Sequence, residues 1–178
     1  RFPLLPVEDE GRLNDPKLRE NFIQRLFIYK RWQDVCTQGL TPHLLIEFHT
    51  SIKFILFAHN PECYKDLGRL IAKQSEKDFN TVANEYIQKL MDGAKRLATA
   101  KKNANVLQHI MGYFKKYLNN DEKKELLDLI ENYRNGYIPL IVPITLINHY
   151  TKRFDITYLK KQVYLNPYPL ELMLRNHV

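Results

Sequence analysis

Residues 105–118, NVLQHIMGYFKKYL, decide the fold class, because their apolar side chains recur at steps of three and four. That period predicts one helix whose apolar stripe consists of Leu107, Ile110, Met111, Phe114 and Leu118. The opposite side carries His109, Tyr113, Lys115, Lys116 and Tyr117. Gly112 stands in the middle, where glycine costs a helix about 1 kcal/mol relative to alanine. We therefore expect a close approach at Gly112, by another helix or, less often, by a ligand.

The same region holds most of the positive charge. Residues 89–124 contain nine Lys and Arg against three acidic residues, and so carry +6 of the net charge of +7. Residues 1–88 are balanced, and residues 125–178 contribute +1. A concentrated basic block raises the potential that a polyanion meets. The two interpretations are a nucleic-acid surface and an ordinary solvated helix face.

Length and composition favour one globular domain. The chain has 178 residues, of which 44% are hydrophobic. Cys36 and Cys63 lie far apart, so they indicate neither a disulfide framework nor an iron–sulfur site, and a reducing, cytoplasmic location is expected. The longest apolar run, residues 138–147, is about half as long as a membrane-spanning helix and contains prolines. Because the chain starts at Arg1, we expect it to be part of a longer polypeptide.

Helix signals recur on both sides of the central segment. Asp15-Pro16 and Thr41-Pro42 each combine a capping side chain with proline at the first helical position. For the first helix the apolar spacing predicts an inner face of Leu18, Phe22, Leu26 and Tyr29. Residues 78–101 read as one long helix, which we expect to pack against the central helix as an antiparallel hairpin.

The predicted fold is therefore all-α, a bundle of about seven or eight helices over residues 15–178. Residues 1–14 read as an extended arm or linker from an upstream domain. The arm is rich in apolar side chains, so we expect it to pack through Phe2, Leu4, Leu5 and Val7.

No sequence motif with a strong catalytic signature is present. His59, His109 and His149 fall on separate predicted helices without the spacing of helical metal ligands, so we expect no metal and no cofactor in this chain. A second group mixes aromatic, polar and cationic side chains. This combination is typical of RNA-binding surfaces, and also of the solvent-exposed edge of a helical core, where tyrosine hydroxyls contact water. Its members are Lys53, Tyr64, His109, Tyr113, Tyr133, Arg134, His149, Tyr150, Gln162 and Tyr164.

Several short segments, taken together and in this order, resemble the YbgA-like family, a family of unknown function. They are Lys53, Ala58-His59, Tyr64, Leu67-Gly68, Asn105–His109, Gly112–Phe114, Tyr133–Gly136, Pro139-Leu140, Pro143, His149-Tyr150 and Gln162–Leu165. The resemblance runs from about Phe22 onward, and the arm resembles the junction behind a TudS-type thiouridine desulfurase domain. That upstream domain carries an iron–sulfur cluster on its own cysteines.

The resemblance implies an accessory helical domain that binds RNA, most simply tRNA, and presents thiolated uridine to the desulfurase domain of the same polypeptide. It carries no desulfurase catalytic residue into this chain. Two alternatives stay open: a small enzyme with a His and Tyr pocket around His109, His149 and Tyr113, and a protein-interaction domain. The predicted RNA-binding residues are Lys53, Lys95, Arg96, Lys101, Lys102, His109, Tyr113, Lys115, Lys116, Arg134, His149 and Tyr150.

Overall fold

The computed structural model describes residues 4–73 and 78–177, and within them the chain forms nine α-helices and no strand. The prediction of an all-α fold is confirmed. The helices are α1 Pro16–Thr37, α2 Pro42–Ser51, α3 Lys53–His59, α4 Pro61–Ala72, α5 Phe79–Gly93, α6 Ala100–Met111, α7 Asn120–Arg134, α8 Ile141–Arg153 and α9 Thr157–Lys160.

Side-chain caps fix most helix starts. Asp15 accepts hydrogen bonds from the backbone N–H groups of the first turn of α1, and Thr41 and Asn60 cap α2 and α4 in the same way. The start of α7 is a capping box between Asn119 and Glu122. Gly136 follows the end of α7 with a φ of +77°, a conformation that glycine adopts without strain.

The predicted long helix over residues 78–101 is wrong. α5 ends at Gly93, and α6 begins after Thr99, whose side chain accepts a hydrogen bond from the backbone N–H of Lys102. Lys101 and Lys102 therefore lie in the first turn of a helix and not at a basic C-terminal end.

The predicted α5–α6 hairpin is also wrong. Within the described residues, α5 packs mainly on α4, whereas α6 packs on α3, α7 and α8. The six residues between α5 and α6 redirect the chain and so separate the two helices. The central segment is likewise shorter than predicted, since α6 ends at Met111 and Gly112 begins a single 3-10 turn. A Cβ at Gly112 would meet only the end of the Lys115 side chain, at 3.9 Å, so the expected close approach is absent there among the described residues.

The N-terminal arm is anchored at a few points. Leu4 packs against the core, Pro6 is buried, and Glu8 forms an ion pair with the buried Arg25 at 3.6 Å. Leu5 and Val7 are exposed, so the predicted packing of the arm holds for Leu4 only, and Phe2 lies outside the described residues.

The inner face of α1 differs from its predicted face. The buried residues are Asn21, Gln24, Arg25, Ile28 and Trp32, whereas the apolar set centred on Phe22 is only partly buried. Half of α1 thus turns polar side chains inward, which a rule based on apolar spacing cannot predict. In the part of the chain that the structure describes, no helix has the length and apolar character needed to cross a membrane.

Candidate functional site

A cavity of about 430 Å³ lies between α1, α3, α6, the end of α7 and the C-terminal segment. Polar side chains make up a large part of its lining. Glu20 is partly buried, and seven others are buried: Asn21, Gln24, His59, Asn103, Tyr133, Tyr164 and Arg175. We call this space the polar cavity.

An ion pair between Glu20 and Arg175 joins the first helix to the C-terminal segment. Nε of Arg175 donates to Oε1 of Glu20 at 3.1 Å, and the same oxygen accepts from Gln24 at 2.6 Å and from the Tyr168 hydroxyl at 3.2 Å. Arg175 is only 4% exposed. Burial opposes its charge, yet its pKa is raised because the Glu20 carboxylate stabilises the guanidinium. The pair is therefore a fixed charged element in the wall of the cavity.

His59 continues this network toward α5 and α6. Its Nε2 lies 2.7 Å from Oε1 of Gln24, and its Nδ1 lies 2.6 Å from the backbone oxygen of Arg96. Burial lowers the pKa of His59 to about 4, against the effect of the hydrogen bond to Arg96. A neutral imidazole has one N–H to donate, so one of these two contacts is a normal hydrogen bond at neutral pH.

A second chain of hydrogen bonds crosses the cavity wall. The Tyr164 hydroxyl donates to Oδ1 of Asn103 at 3.0 Å, and Nδ2 of Asn103 donates to the Tyr133 oxygen at 3.0 Å. Arg175 donates to the backbone oxygen of Tyr164 at 2.7 Å and lies over its ring. Burial raises the pKa of Tyr164, so this hydroxyl stays protonated. The two chains meet at Arg175 and hold the cavity wall in one arrangement.

Many residues of the segments that resemble the YbgA-like family line this cavity. They come from α3, from the end of α7 and the residues after it, and from the segment after α9, which are distant in sequence. The lining members are Ala58, His59, Tyr133, Arg134, Asn135, Gly136, Leu140 and Tyr164. The fold thus brings residues of four separate segments around one space.

A second surface forms where the 3-10 turn after α6 meets α3 and the α8–α9 junction. The rings of Tyr113 and Tyr158 stack at 5.1 Å, as do those of Tyr117 and Phe154. Phe57 packs edge-on against His109 at 6.3 Å. We call these six residues, with Lys53, Lys115 and Lys116, the aromatic face.

The aromatic face is open to solvent and basic. Tyr113 and Tyr117 are 38% and 52% exposed. Lys53, Lys115 and Lys116 have no acidic partner among residues 4–73 and 78–177, and Lys53 lies 5.2 Å from the centre of the Phe54 ring. Burial raises the pKa of Tyr158, so its hydroxyl remains neutral.

The structure divides the predicted RNA-binding residues. Lys53, His109, Tyr113, Lys115 and Lys116 lie together on the aromatic face. Lys101 and Lys102 lie at the other end of α6, a distance of about 18 Å for its twelve residues.

The remaining predicted residues lie elsewhere. Arg134 lines the polar cavity, Arg96 reaches it only through its backbone oxygen, and Lys95 pairs with Asp92 at 3.0 Å. Tyr150 is 3% exposed and packs on Phe114, so little of its ring is open to a base.

The three histidines do not converge. His59 is buried in the polar cavity, His109 is on the aromatic face, and His149 lines a separate surface hollow beside residues 165–176. His109 and His149 therefore lie on different surfaces of the described structure. The small-enzyme alternative required them to line one pocket together. The described part of the chain contains no group of three or more His, Cys, Asp or Glu placed to hold a metal ion.

Sequence reasoning missed the α1 side of the cavity and its C-terminal partner. Glu20, Asn21 and Gln24 follow one another at helical spacing, and that polar spacing was the available signal. No local sequence pattern indicated that Arg175 belongs to the site, because its partner Glu20 is 155 residues away.

Comparisons with known proteins agree with the predicted resemblance. Uncharacterized protein YbgA of Escherichia coli (strain K12) is 27% identical to this chain over 165 residues, which cover 92% of this chain and 98% of that protein. No solved structure matches. The predicted resemblance to the YbgA-like family is thereby confirmed. A family model described as "Protein of unknown function (DUF1722)" matches residues 53–169, more than half of the chain, and the chain therefore belongs to that family.

Proposed function

We propose that this chain is a cytoplasmic accessory domain that binds RNA, most simply tRNA, and presents a thiolated uridine to a desulfurase domain of the same polypeptide. The observation that supports RNA binding is the aromatic face, where exposed rings alternate with lysines that have no acidic partner in the described residues. The proposal of a desulfurase partner rests on the resemblance of residues 2–13 and 18–22 to the junction behind such a domain.

The chemistry of the aromatic face suits single-stranded or looped RNA. Bases stack on exposed rings such as Tyr113 and Tyr117, each contributing about 1–3 kcal/mol in known complexes. Lysines beside the rings meet phosphates, and each such contact makes binding weaker at high salt. Neither type of contact reads a particular base, so the face supplies affinity and orientation.

A binding experiment with purified tRNA tests the proposal. The double variant Lys115→Glu/Lys116→Glu removes two of the three lysines of the aromatic face. Lys30→Glu/Lys73→Glu makes the same change of charge on α1 and at the end of α4, outside that face. Fluorescence anisotropy over a series of salt concentrations gives the affinity and its salt dependence for each protein.

We expect the Lys115/Lys116 variant to bind tRNA at least tenfold more weakly at low salt than the control. The slope of log K against log salt should become shallower by about 1.6, at roughly 0.8 for each lost phosphate contact. Tyr113→Ala should weaken binding without changing the slope, because it removes stacking and no charge. Equal affinity of the two folded double variants would refute RNA binding through the aromatic face.

A further inference from the structure

The polar cavity has the features of a nucleotide site, and we propose that it binds one nucleotide with the base inside and the phosphate at the mouth. This deepens the proposed function, on which it rests, because the nucleotide is then a unit of the bound RNA. A free nucleotide has the same chemistry and is the other possible source. At about 430 Å³ the cavity is within the usual size range of small-molecule sites.

The apolar part of the lining suits the faces of a flat ring. Ile55 and Ala58 lie on α3, Leu97 and Ala98 lie in the segment before α6, and Leu140 precedes α8. Leu97 is 39% exposed, so part of its apolar side chain is open to a ligand in the cavity. A flat ring in this space would bury its faces against these apolar side chains.

Two buried residues in the lining have hydrogen-bonding capacity left over. Asn21 uses its amide nitrogen on the backbone oxygen of Ala94 at 3.0 Å, and its carbonyl oxygen has no partner among the described residues. The Tyr133 oxygen accepts from Asn103, which leaves the hydroxyl hydrogen without an acceptor in the same part of the chain. Asn21 is 6% exposed and Tyr133 is 8% exposed.

Within the described residues, the Asn21 oxygen is a free acceptor and the Tyr133 hydroxyl is a free donor. The edge of a nucleobase, which carries both N–H groups and carbonyl oxygens, can bond to both. Uracil, for example, presents an N–H between two carbonyl oxygens. A ligand with only acceptors, such as a carboxylate, would leave the Asn21 oxygen without a donor. This difference favours a base over a simple anion inside the cavity.

The mouth of the cavity is basic. Lys17 and Arg134 are both exposed lining residues, and Lys17 has no acidic partner among the residues described. Arg134 is only loosely held by Glu131 at 3.5 Å. α6 begins at the same opening, so its dipole adds to the positive potential where a phosphate would lie. The charges at the mouth and the neutral amide inside thus match the two ends of a nucleotide.

Calorimetric titration of the whole chain with uridine 5′-monophosphate, uridine and a short oligouridylate tests the proposal. Tyr133→Phe removes the spare donor together with the acceptor of the Asn103 amide, and Tyr137→Phe, a 76% exposed position that does not line the cavity, is the control. Lys17→Glu/Arg134→Glu changes the mouth, with Lys30→Glu/Lys73→Glu as the control of equal charge. Urea unfolding establishes that each variant folds.

We expect Tyr133→Phe to weaken binding of the monophosphate about fivefold relative to Tyr137→Phe, because one hydrogen bond is lost. The mouth variant should weaken binding of the monophosphate but not of uridine, which has no phosphate. If the cavity variants lose affinity for the oligouridylate as well as for the monophosphate, the ligand is a nucleotide of RNA. If they lose affinity for the monophosphate alone, the ligand is a free nucleotide. Either result supports the cavity as a nucleotide site.

The proposal is overturned if none of the three probes binds the wild-type chain, or if the folded cavity variants bind every probe as their controls do. The variant Lys115→Glu/Lys116→Glu tells whether the cavity proposal or the proposed RNA binding has failed. That variant should lose tRNA affinity while keeping its affinity for the monophosphate, because the aromatic face lies at the far end of α6.

Discussion

At the scale of single residues, Gly93 has the closest neighbour among the six glycines. A Cβ at this position would lie 2.2 Å from Sγ and 2.9 Å from Cβ of Cys63, so α4 and α5 approach each other at a point where only hydrogen fits. The sequence analysis predicted such a close approach at Gly112 and not at Gly93. Spacing shows that a glycine lies in a helix, whereas the residue opposite it depends on the tertiary fold.

Gly93→Ala should therefore lower the free energy of unfolding by about 1–3 kcal/mol, as overpacking of a filled core does. Gly68→Ala is the control, since its new Cβ would meet only Nε2 of His49 at 3.5 Å, an ordinary contact. We expect Gly68→Ala to be neutral or to stabilise α4 by up to about 1 kcal/mol through helix propensity. Urea unfolding of both variants measures the difference, and equal stability would contradict the close approach.

At the scale of elements, the break between α5 and α6 shapes the site. The apolar pattern continues through Ala94, Leu97 and Ala98, and so it predicted an uninterrupted helix. Periodicity records which side chains are apolar, and it does not detect a cap inside an apolar run. The cap is Thr99, which starts α6 in a new direction and places Leu97 and Ala98 in the cavity lining.

Thr99→Ala should cost about 1 kcal/mol of stability, because the N–H of Lys102 loses its side-chain partner. The control is Thr145→Ala on α8, where an exposed hydroxyl donates to the backbone oxygen of Ile141 and caps no helix start. Thermal unfolding followed by circular dichroism compares them. A loss no larger than that of Thr145→Ala would show that Thr99 does not define the start of α6.

At the scale of the whole molecule, surface features were more predictable than the polar interior. Lys53, His109 and Tyr113 were predicted as a group, and they do meet on the aromatic face, although His149 and Tyr150 do not join them. The polar cavity could not be predicted as a unit. Its ion pair links residues 20 and 175, and no local pattern in the sequence relates positions so far apart.

Buried histidines give the whole molecule a pH-dependent stability. Burial lowers the pKa of His49 and of His59 to about 4, whereas an unfolded chain binds these protons near pH 6.5. Between those values the unfolded state binds more protons, so the free energy of unfolding falls as the pH decreases. Above pH 6.5 both states are neutral and this contribution is constant. For His59 the full effect is about 3 kcal/mol.

Urea unfolding at pH 7.5 and at pH 4.5 checks this expectation with one histidine removed at a time. His49→Gln should lose less stability between the two pH values than the wild type does, because one buried histidine no longer titrates. His43→Gln changes a histidine whose side chain is 80% exposed and should behave as the wild type. The same pH dependence in all three proteins would exclude His49 as a source.

The pairing of Glu20 with Arg175 has a consequence for the order of events during synthesis. Glu20 leaves the ribosome before its buried partner, which lies 155 residues further along the chain. Helices such as α4 and α5 pack on near neighbours, and they can form while translation proceeds. The wall shared by α1 and the C-terminal segment has to wait for Arg175. A nascent chain can therefore have a formed helical core and still be unable to hold a ligand in the polar cavity.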